Sequence, residues 1–405
     1  MKILILEKRP LYPLDAGGQI RSAKMFEELS KEHEITIVCN VERPKDDKYL
    51  KEMNKCCSHL YTIPWKETER FSWRFYCELF VNLFSRYPFT VNKDYCPRLK
   101  RLFEKVLADG GFDLIICDFL QSSRNVLGVK NIPKLLFQHN VESMIAKRHF
   151  KEEKNIVAKY YWFIQWKKME WYERKMCQWF DHIIAVSEND KDIFEKCFSA
   201  RAVSVIPTGV DIECFCPQNI ELEPNTVVFV GGMDWLPNVD GVIYFVENIL
   251  PLVQREIPDV QLYVVGRNPV AKIQMLDKLN PAVTITGTVE DVRPYVAKSS
   301  MAIVPLRIGG GTRLKIYEFM AMAKSVVSTT IGAEGLTVTH GKDILLADTP
   351  DRFAREVISL LHNSKLREDI GKAGREMVNK YYSWDKIAKC FEEICEKILN
   401  KGGKR

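Results

Sequence analysis

Two successive strings of short apolar runs, each interleaved with helix-length stretches, constrain the fold of this chain more than any other feature. The first string comprises residues 2–7, 34–40, 60–64, 113–118, 134–140, 182–187 and 204–207. The second comprises 226–230, 260–266, 283–287, 301–305, 325–329 and 344–347. These runs are rich in Ile, Val and Leu, and several are apolar on both faces, as parallel strands covered by helices are. Two such strings predict an α/β protein of two Rossmann-like, doubly wound domains. The stretch 207–224 between them holds three prolines and little periodicity, and reads as a linker. The expected domains are 1–210 and 218–383, with an amphipathic helix over 384–400 packing back on the first. Ligands of such sheets bind beyond the carboxyl ends of the strands, here in a cleft between the domains.

Composition narrows the function. A chain of 405 residues suits two cores rather than one. The net charge of +6 is mild and reads as evenly spread, which fits anionic ligands or an anionic membrane surface and gives no support to nucleic acid as a partner. The twelve cysteines form no C-x-x-C pair, so a reduced, cytoplasmic protein without a zinc site is expected. The apolar run Ile3–Leu6 is too short for a signal peptide, and no stretch approaches a membrane span.

The densest chemical signal is Arg307-Ile308-Gly309-Gly310-Gly311-Thr312-Arg313-Leu314-Lys315-Ile316-Tyr317-Glu318. It follows a predicted strand and opens a predicted helix running to about residue 323. Gly310 and Gly311 allow close backbone approach to a ligand, Thr312 suits an N-cap, and the amides from Leu314 onward are free donors. Arg313 and Lys315 are then expected in the first helical turn, where cations oppose the helix dipole by about 0.3–1 kcal/mol each. That choice makes sense if an anion such as a diphosphate sits there. Glu318 shares a face with Leu314 and Lys315, and its two oxygens suit a cis-diol such as a ribose. The plainer reading is a solvated helix start with an ordinary Lys315–Glu318 pair.

With these residues in view, the chain resembles glycosyltransferase family 4, the retaining group with the GT-B fold. The markers stand in family order: Asp15-Ala16-Gly17-Gly18, Gln138-His139-Asn140-Val141-Glu142, Ala185-Val186-Ser187-Glu188, Ile206-Pro207-Thr208-Gly209-Val210-Asp211, Val230-Gly231-Gly232-Met233-Asp234, the donor loop, and Ile331-Gly332-Ala333-Glu334-Gly335-Leu336. The resemblance implies that Glu318 holds the donor ribose, that Gly17 and Gly18 bring backbone to the donor phosphate and acceptor, and that His139 points into the cleft near the donor sugar. The chain departs from the family at two places. Gly310 stands where relatives carry a first glutamate, and Gly232 and Pro237 stand about where relatives carry an Arg and a Lys for the diphosphate. Arg313 and Lys315 are expected to supply that charge instead, as in a subgroup with Gly-Gly-Gly-Thr-Arg-Leu-Lys. Ser187 and Glu188 are read as capping the following helix.

The implied reaction moves a sugar from a UDP- or GDP-linked donor to a glycan or lipid-linked acceptor in surface polysaccharide or lipopolysaccharide synthesis, without metal or other cofactor. Arg313 and Lys315 would stabilise the leaving diphosphate, which itself takes the acceptor proton, while His139 orients the reactants. Two basic-aromatic stretches, 65–95 and 160–179, are open to two readings: contact with an anionic membrane, or ordinary helix packing. The competing functions are a non-catalytic nucleotide-sugar-binding protein and a nucleotide-sugar 2-epimerase. A dinucleotide oxidoreductase is disfavoured, because Gly17-Gly18 lacks the G-x-G-x-x-G spacing.

Overall fold

The computed structural model describes residues 1–14, 17–69, 71–308 and 313–402. The chain divides into two compact units, Met1–Pro207 with Ile387–Arg405, and Thr208–Lys386.

In the first unit the elements run β1 (Lys2–Leu6), α1 (Gly17–Leu29), β2 (Glu34–Val41), β3 (His59–Pro64), α2 (Trp73–Leu83), α3 (Phe89–Lys93), α4 (Pro97–Gly110), β4 (Leu114–Asp118), β5 (Lys134–Phe137), α5 (Glu142–Glu152), α6 (Ile156–Trp179), β6 (His182–Ala185), α7 (Glu188–Asp192) and β7 (Val203–Val205). The strands make one parallel sheet in the order β3-β2-β1-β4-β5-β6-β7. Ile3 through Leu6 are fully buried, as a central strand covered on both faces requires. Leu4 and Leu6 of β1 join Phe103 of α4 and Tyr172 and Met176 of α6 in one core on one face of the sheet.

The second unit comprises β8 (Thr226–Val230), α8 (Leu236–Tyr244), α9 (Leu250–Glu256), β9 (Gln261–Val265), α10 (Ala271–Gln274), α11 (Leu276–Leu279), β10 (Val283–Gly287), α12 (Arg293–Lys298), β11 (Met301–Val304), α13 (Leu314–Ala321), β12 (Val326–Ser328), β13 (Leu345–Leu346), α14 (Pro350–His362) and α15 (Ser364–Tyr381). Its sheet is again parallel, ordered β10-β9-β8-β11-β12-β13. The last helix, α16 (Trp384–Gly402), belongs to the first unit from Ile387 onward, where Phe391 meets Phe137 edge-on at 5.3 Å.

The two-string pattern therefore folds as an α/β protein with two doubly wound parallel sheets. The differences fall at carboxyl ends of strands. β5 stops at Phe137, β6 at Ala185 and β11 at Val304, three, two and one residues short of the predicted runs. At the donor loop, α13 begins at Leu314, so Arg313 is not in the first turn as expected. It precedes the helix with φ of 54°, a left-handed conformation that costs a non-glycine residue about 1–2 kcal/mol.

Candidate functional site

In each sheet the strand order reverses at one point, between β1 and β4 and between β8 and β11, and a ligand is expected beyond the strand ends there.

In the second unit, the loop after β8 and the start of α13 converge. Lys315 Nζ donates to Asn238 Oδ1 at 2.9 Å, and Asn238 Nδ2 donates to the Gly232 carbonyl at 2.9 Å. The ammonium also lies 4.5 Å from the ring centroid of Phe229 at the end of β8. Gly231 sits close under this pair: a Cβ there would stand 2.8 Å from Lys315 Nζ and 2.7 Å from Asn238 Nδ2, so the two side chains would have to shift. Gly266 is tighter still, since its Cβ would stand 1.8 Å from the Gly231 carbonyl oxygen.

Charge at this end is poorly solvated. Lys315 is half-buried, and desolvation pushes its ammonium down to about 7, with Glu318 opposing and Arg313 adding to the fall. Desolvation likewise pushes the Glu318 carboxyl up to about 7, against the pull of Lys315. Arg313 is buried, and its Nη2 lies 3.5 Å from a carboxylate oxygen of Glu334 in the Ile331–Leu336 motif. Gly310, Gly311 and Thr312 lie outside the described residues. Leu314 opens α13 and is half-buried, and the Ile316 amide donates to the Arg313 carbonyl at 3.0 Å. The arrangement brings Arg313, Lys315 and Glu318 to one helix start: two cations suited to phosphate oxygens, and a carboxylate suited to hydroxyls.

In the first unit, Gly17 and Gly18 begin α1. A Cβ at Gly18 would stand 2.7 Å from Phe119 Cζ and 3.6 Å from His139 Cγ, so glycine lets the helix start rest on these rings. His139 is the residue expected to point into a cleft near the donor sugar. Its ring is enclosed within the unit, stacked on Phe119 at 4.1 Å. Nε2 lies 2.6 Å from Asp118 Oδ1 and 3.3 Å from Ser22 Oγ, and Nδ1 lies 3.4 Å from Arg21 Nη1. Both ring nitrogens therefore have protein partners, and burial holds the imidazole below its ordinary value with Asp118 opposing. Ser187 caps α7, its Oγ accepting from the Asp190 amide at 3.2 Å.

Sequence reasoning missed four residues of these two centres. Arg21, fully buried, donates to the carbonyls of Gln138 at 2.7 Å and Ile206 at 2.6 Å, and lies 4.2 Å from the Phe137 ring. Asp118 is fully buried behind His139, and Glu7 hydrogen-bonds to it. Burial, then Asp118, pushes the Glu7 carboxyl well up, which favours its protonated form. Burial also acts to raise Asp118, but His139, Glu7 and Ser22 outweigh it and keep it ionised. An acid closing an all-apolar strand was the available signal for both. Asn238, the hinge between Lys315 and Gly232, carried no signal beyond its place after the Val230–Asp234 marker.

Two parallel sheets of this order define a GT-B-like α/β architecture. Residues 17–214 match the model described as Glycosyltransferase Family 4, and residues 224–363 match the model described as Glycosyl transferases group 1. The chain belongs to the group 1/family 4 glycosyltransferases. It is 23% identical over 401 residues to a Klebsiella pneumoniae protein described as an uncharacterized 44.6 kDa protein in cps region, covering 95% of this chain and 97% of that one. It is 26% identical over 234 residues to phosphatidyl-myo-inositol mannosyltransferase of Mycobacterium tuberculosis, covering 55% of this chain but only 61% of that enzyme. Among solved structures, Anabaena HepE in complex with UDP has the same fold, with a TM-score of 0.67 at 13% identity over 98% of this chain and 100% of that one.

Proposed function

We propose that this protein is a retaining glycosyltransferase that moves a hexosyl group from a nucleotide-sugar donor to a glycan or lipid-linked acceptor in surface polysaccharide synthesis. One observation carries the reading: Lys315 reaches across to Asn238 and the Gly231-Gly232 turn, where relatives place their own diphosphate cations. With Arg313 beside it at the start of α13, the donor diphosphate meets charge from the protein itself. Glu318 accepts from the ribose hydroxyls. The UDP bound to HepE and the mannosyl transfer named for the mycobacterial relative favour a UDP- or GDP-linked donor. The Klebsiella relative in a cps region favours a polysaccharide pathway.

In this scheme the leaving diphosphate oxygen accepts the acceptor proton as the glycosidic bond forms on the same face of the sugar. Arg313, Lys315 and the α13 amides stabilise the charge that develops on that oxygen. Gly17 and Gly18 bring backbone near the reacting centre. His139, with both nitrogens engaged, acts by position: it fixes Phe119 and the end of β5 rather than donating a proton to the sugar.

Thermal unfolding with UDP, GDP and their sugar conjugates tests the reading, with Glu318→Ala as control. A donor at about a hundred times its Kd adds roughly 2.7 kcal/mol. The expected result is stabilisation by one nucleotide class, lost in the variant. Stabilisation by none of them would sink the donor site. Donor binding without transfer to any acceptor would favour the non-catalytic alternative.

A further inference from the structure

Helix α2 is built inside out. Among its residues the one buried side chain is Asn82, whereas Trp73 is 82% exposed, Phe80 and Val81 are exposed, and Phe84 just beyond is 81% exposed. Trp73, Phe80 and Phe84 recur at helical spacing and fall on one face. The helix is still firmly seated. Asn82 Oδ1 accepts from Gln165 Nε2 at 3.0 Å, and Lys168 Nζ donates to the Asn82 and Leu83 carbonyls at 2.6 and 3.1 Å. Ser72 caps its start by accepting from the Phe75 amide at 3.2 Å. Polar contacts thus hold α2 on α6 while its aromatic face is left to solvent, the reverse of what packing in water favours.

The start of α6 repeats the pattern. Ile156 is 82% exposed, and Val157 and Tyr160 are exposed beside it, next to the exposed Lys151 and Lys154. The remainder of the helix behaves as a packing helix: Met169, Tyr172 and Met176 are buried, and Trp166 stacks on Phe150 at 5.8 Å. The charge excess is also less even than it reads from composition. Residues 147–175 hold nine Lys and Arg against four Glu, an excess of five in a chain whose total excess is +6. One of the four, Glu173, is buried and pushed up to about 8 by desolvation, so it adds little negative charge at neutral pH.

We propose that the exposed side chains of α2 and of the α5–α6 hairpin dock on an anionic lipid bilayer surface. The aromatic face of α2 and the apolar start of α6 enter the headgroup region, and the lysines of the α5–α6 hairpin meet lipid phosphates. The interleaving of aromatic and basic side chains selects this occupant over a second copy of the chain. Such a copy would bring the same excess positive charge to the contact, whereas anionic headgroups complement it. Among the described residues no helix is long and apolar enough to cross a membrane, so the contact is with the surface. The inference stands apart from the donor site and uses none of its residues.

The test sediments the full chain with phosphatidylcholine vesicles, either pure or containing about 30% phosphatidylglycerol, at about 50 mM salt. The expected result is retention on the anionic vesicles only, lost at about 0.5 M salt. Two variants, Phe80→Ser with Phe84→Ser and Lys151→Glu with Lys154→Glu, should each lower partitioning at least about tenfold. All four side chains are exposed, so thermal unfolding should not change. No retention, equal retention on neutral vesicles, or retention untouched by both variants overturns the proposal. So does a dimer in solution that the Phe80/Phe84 variant converts to monomer, since the face would then join two copies of the chain.

Discussion

The crevice beyond β1 and β4 in the first unit and the crevice beyond β8 and β11 in the second arise from the same strand order, yet they are furnished in opposite ways. In the first, Glu7, Asp118, His139, Ser22 and Arg21 hydrogen-bond one another or strand-end carbonyls. In the second, Lys315 has a neutral amide oxygen as its hydrogen-bond partner, and both its charge and that of Glu318 are strained by desolvation. A network that pairs most of its groups consumes much of its own polarity and rigidifies the sheet edge, although Arg21 Nε, Glu7 Oε1 and Asp118 Oδ2 have no hydrogen-bond partner among the described residues. Desolvated charges that lack close ion pairs leave polarity to be met by a ligand. The comparison assigns scaffold work to the first centre and anion binding to the second, and substitutions can break that assignment.

The largest effect is expected from Asp118→Ala. It would leave His139, Ser22 and the Glu7 acid without their shared acceptor, and losing one partner of a buried pair costs about 3–5 kcal/mol. Six of the eight tryptophans lie within residues 1–207, so urea unfolding followed by fluorescence reports on this unit. Glu7→Gln should cost less than about 1 kcal/mol, because an amide can donate to Asp118 as the protonated acid does. A severe loss from Glu7→Gln together with a mild one from Asp118→Ala would mean that the proton sits elsewhere.

Lys315→Met is expected to act the other way round. Losing charge-assisted bonds to a diphosphate, worth about 1.5–3 kcal/mol, should weaken nucleotide-sugar binding by roughly ten- to more than a hundredfold in calorimetry. Stability should hold or rise, since a poorly solvated ammonium is removed without breaking an ion pair. If stability falls as it does for Asp118→Ala while binding survives, Lys315 is scaffold and the contrast between the two centres fails.

How much of this could be read in advance differs between the two centres for a physical reason. Strands such as Ile3–Leu6 and Met301–Val304 were legible because burial on both faces demands unbroken apolar runs. Lys315 and Glu318 were legible because a cation at a helix start runs against the dipole and marks an anion. Arg21 and Glu7 were not, because a lone charge in a helix or after a strand looks like surface until the fold closes over it. Asn238 meets Lys315 across 77 residues of sequence, a contact that no local pattern encodes. The left-handed backbone of Arg313 was equally hidden, since arginine carries no preference for it. The enclosure of His139 depends on Asp118 and Arg21 arriving from two other elements.

The smallest effect is a pH dependence that separates the two charges of the donor centre. A nucleotide sugar keeps one charge on each phosphate through neutral pH, so changes in its affinity report on the protein. Above about 7 the free Lys315 loses its proton, and the diphosphate must bind a neutral amine or pull a proton from solution. Affinity should therefore fall by up to about tenfold per pH unit on the alkaline side. Below about 7 Glu318 gains a proton. A neutral carboxyl can still accept one ribose hydroxyl and donate to another, so the acid limb should be shallower than the alkaline one. The expected profile is an asymmetric bell with its maximum near neutrality. Lys315→Met should flatten the alkaline limb and Glu318→Gln the acid limb, each leaving the other in place. Burial raises the Glu7 carboxyl and the groups around Asp118 hold it low, away from this range, so Glu7→Gln should leave the profile unmoved; a shifted bell in that variant would show that the first centre is not scaffold alone.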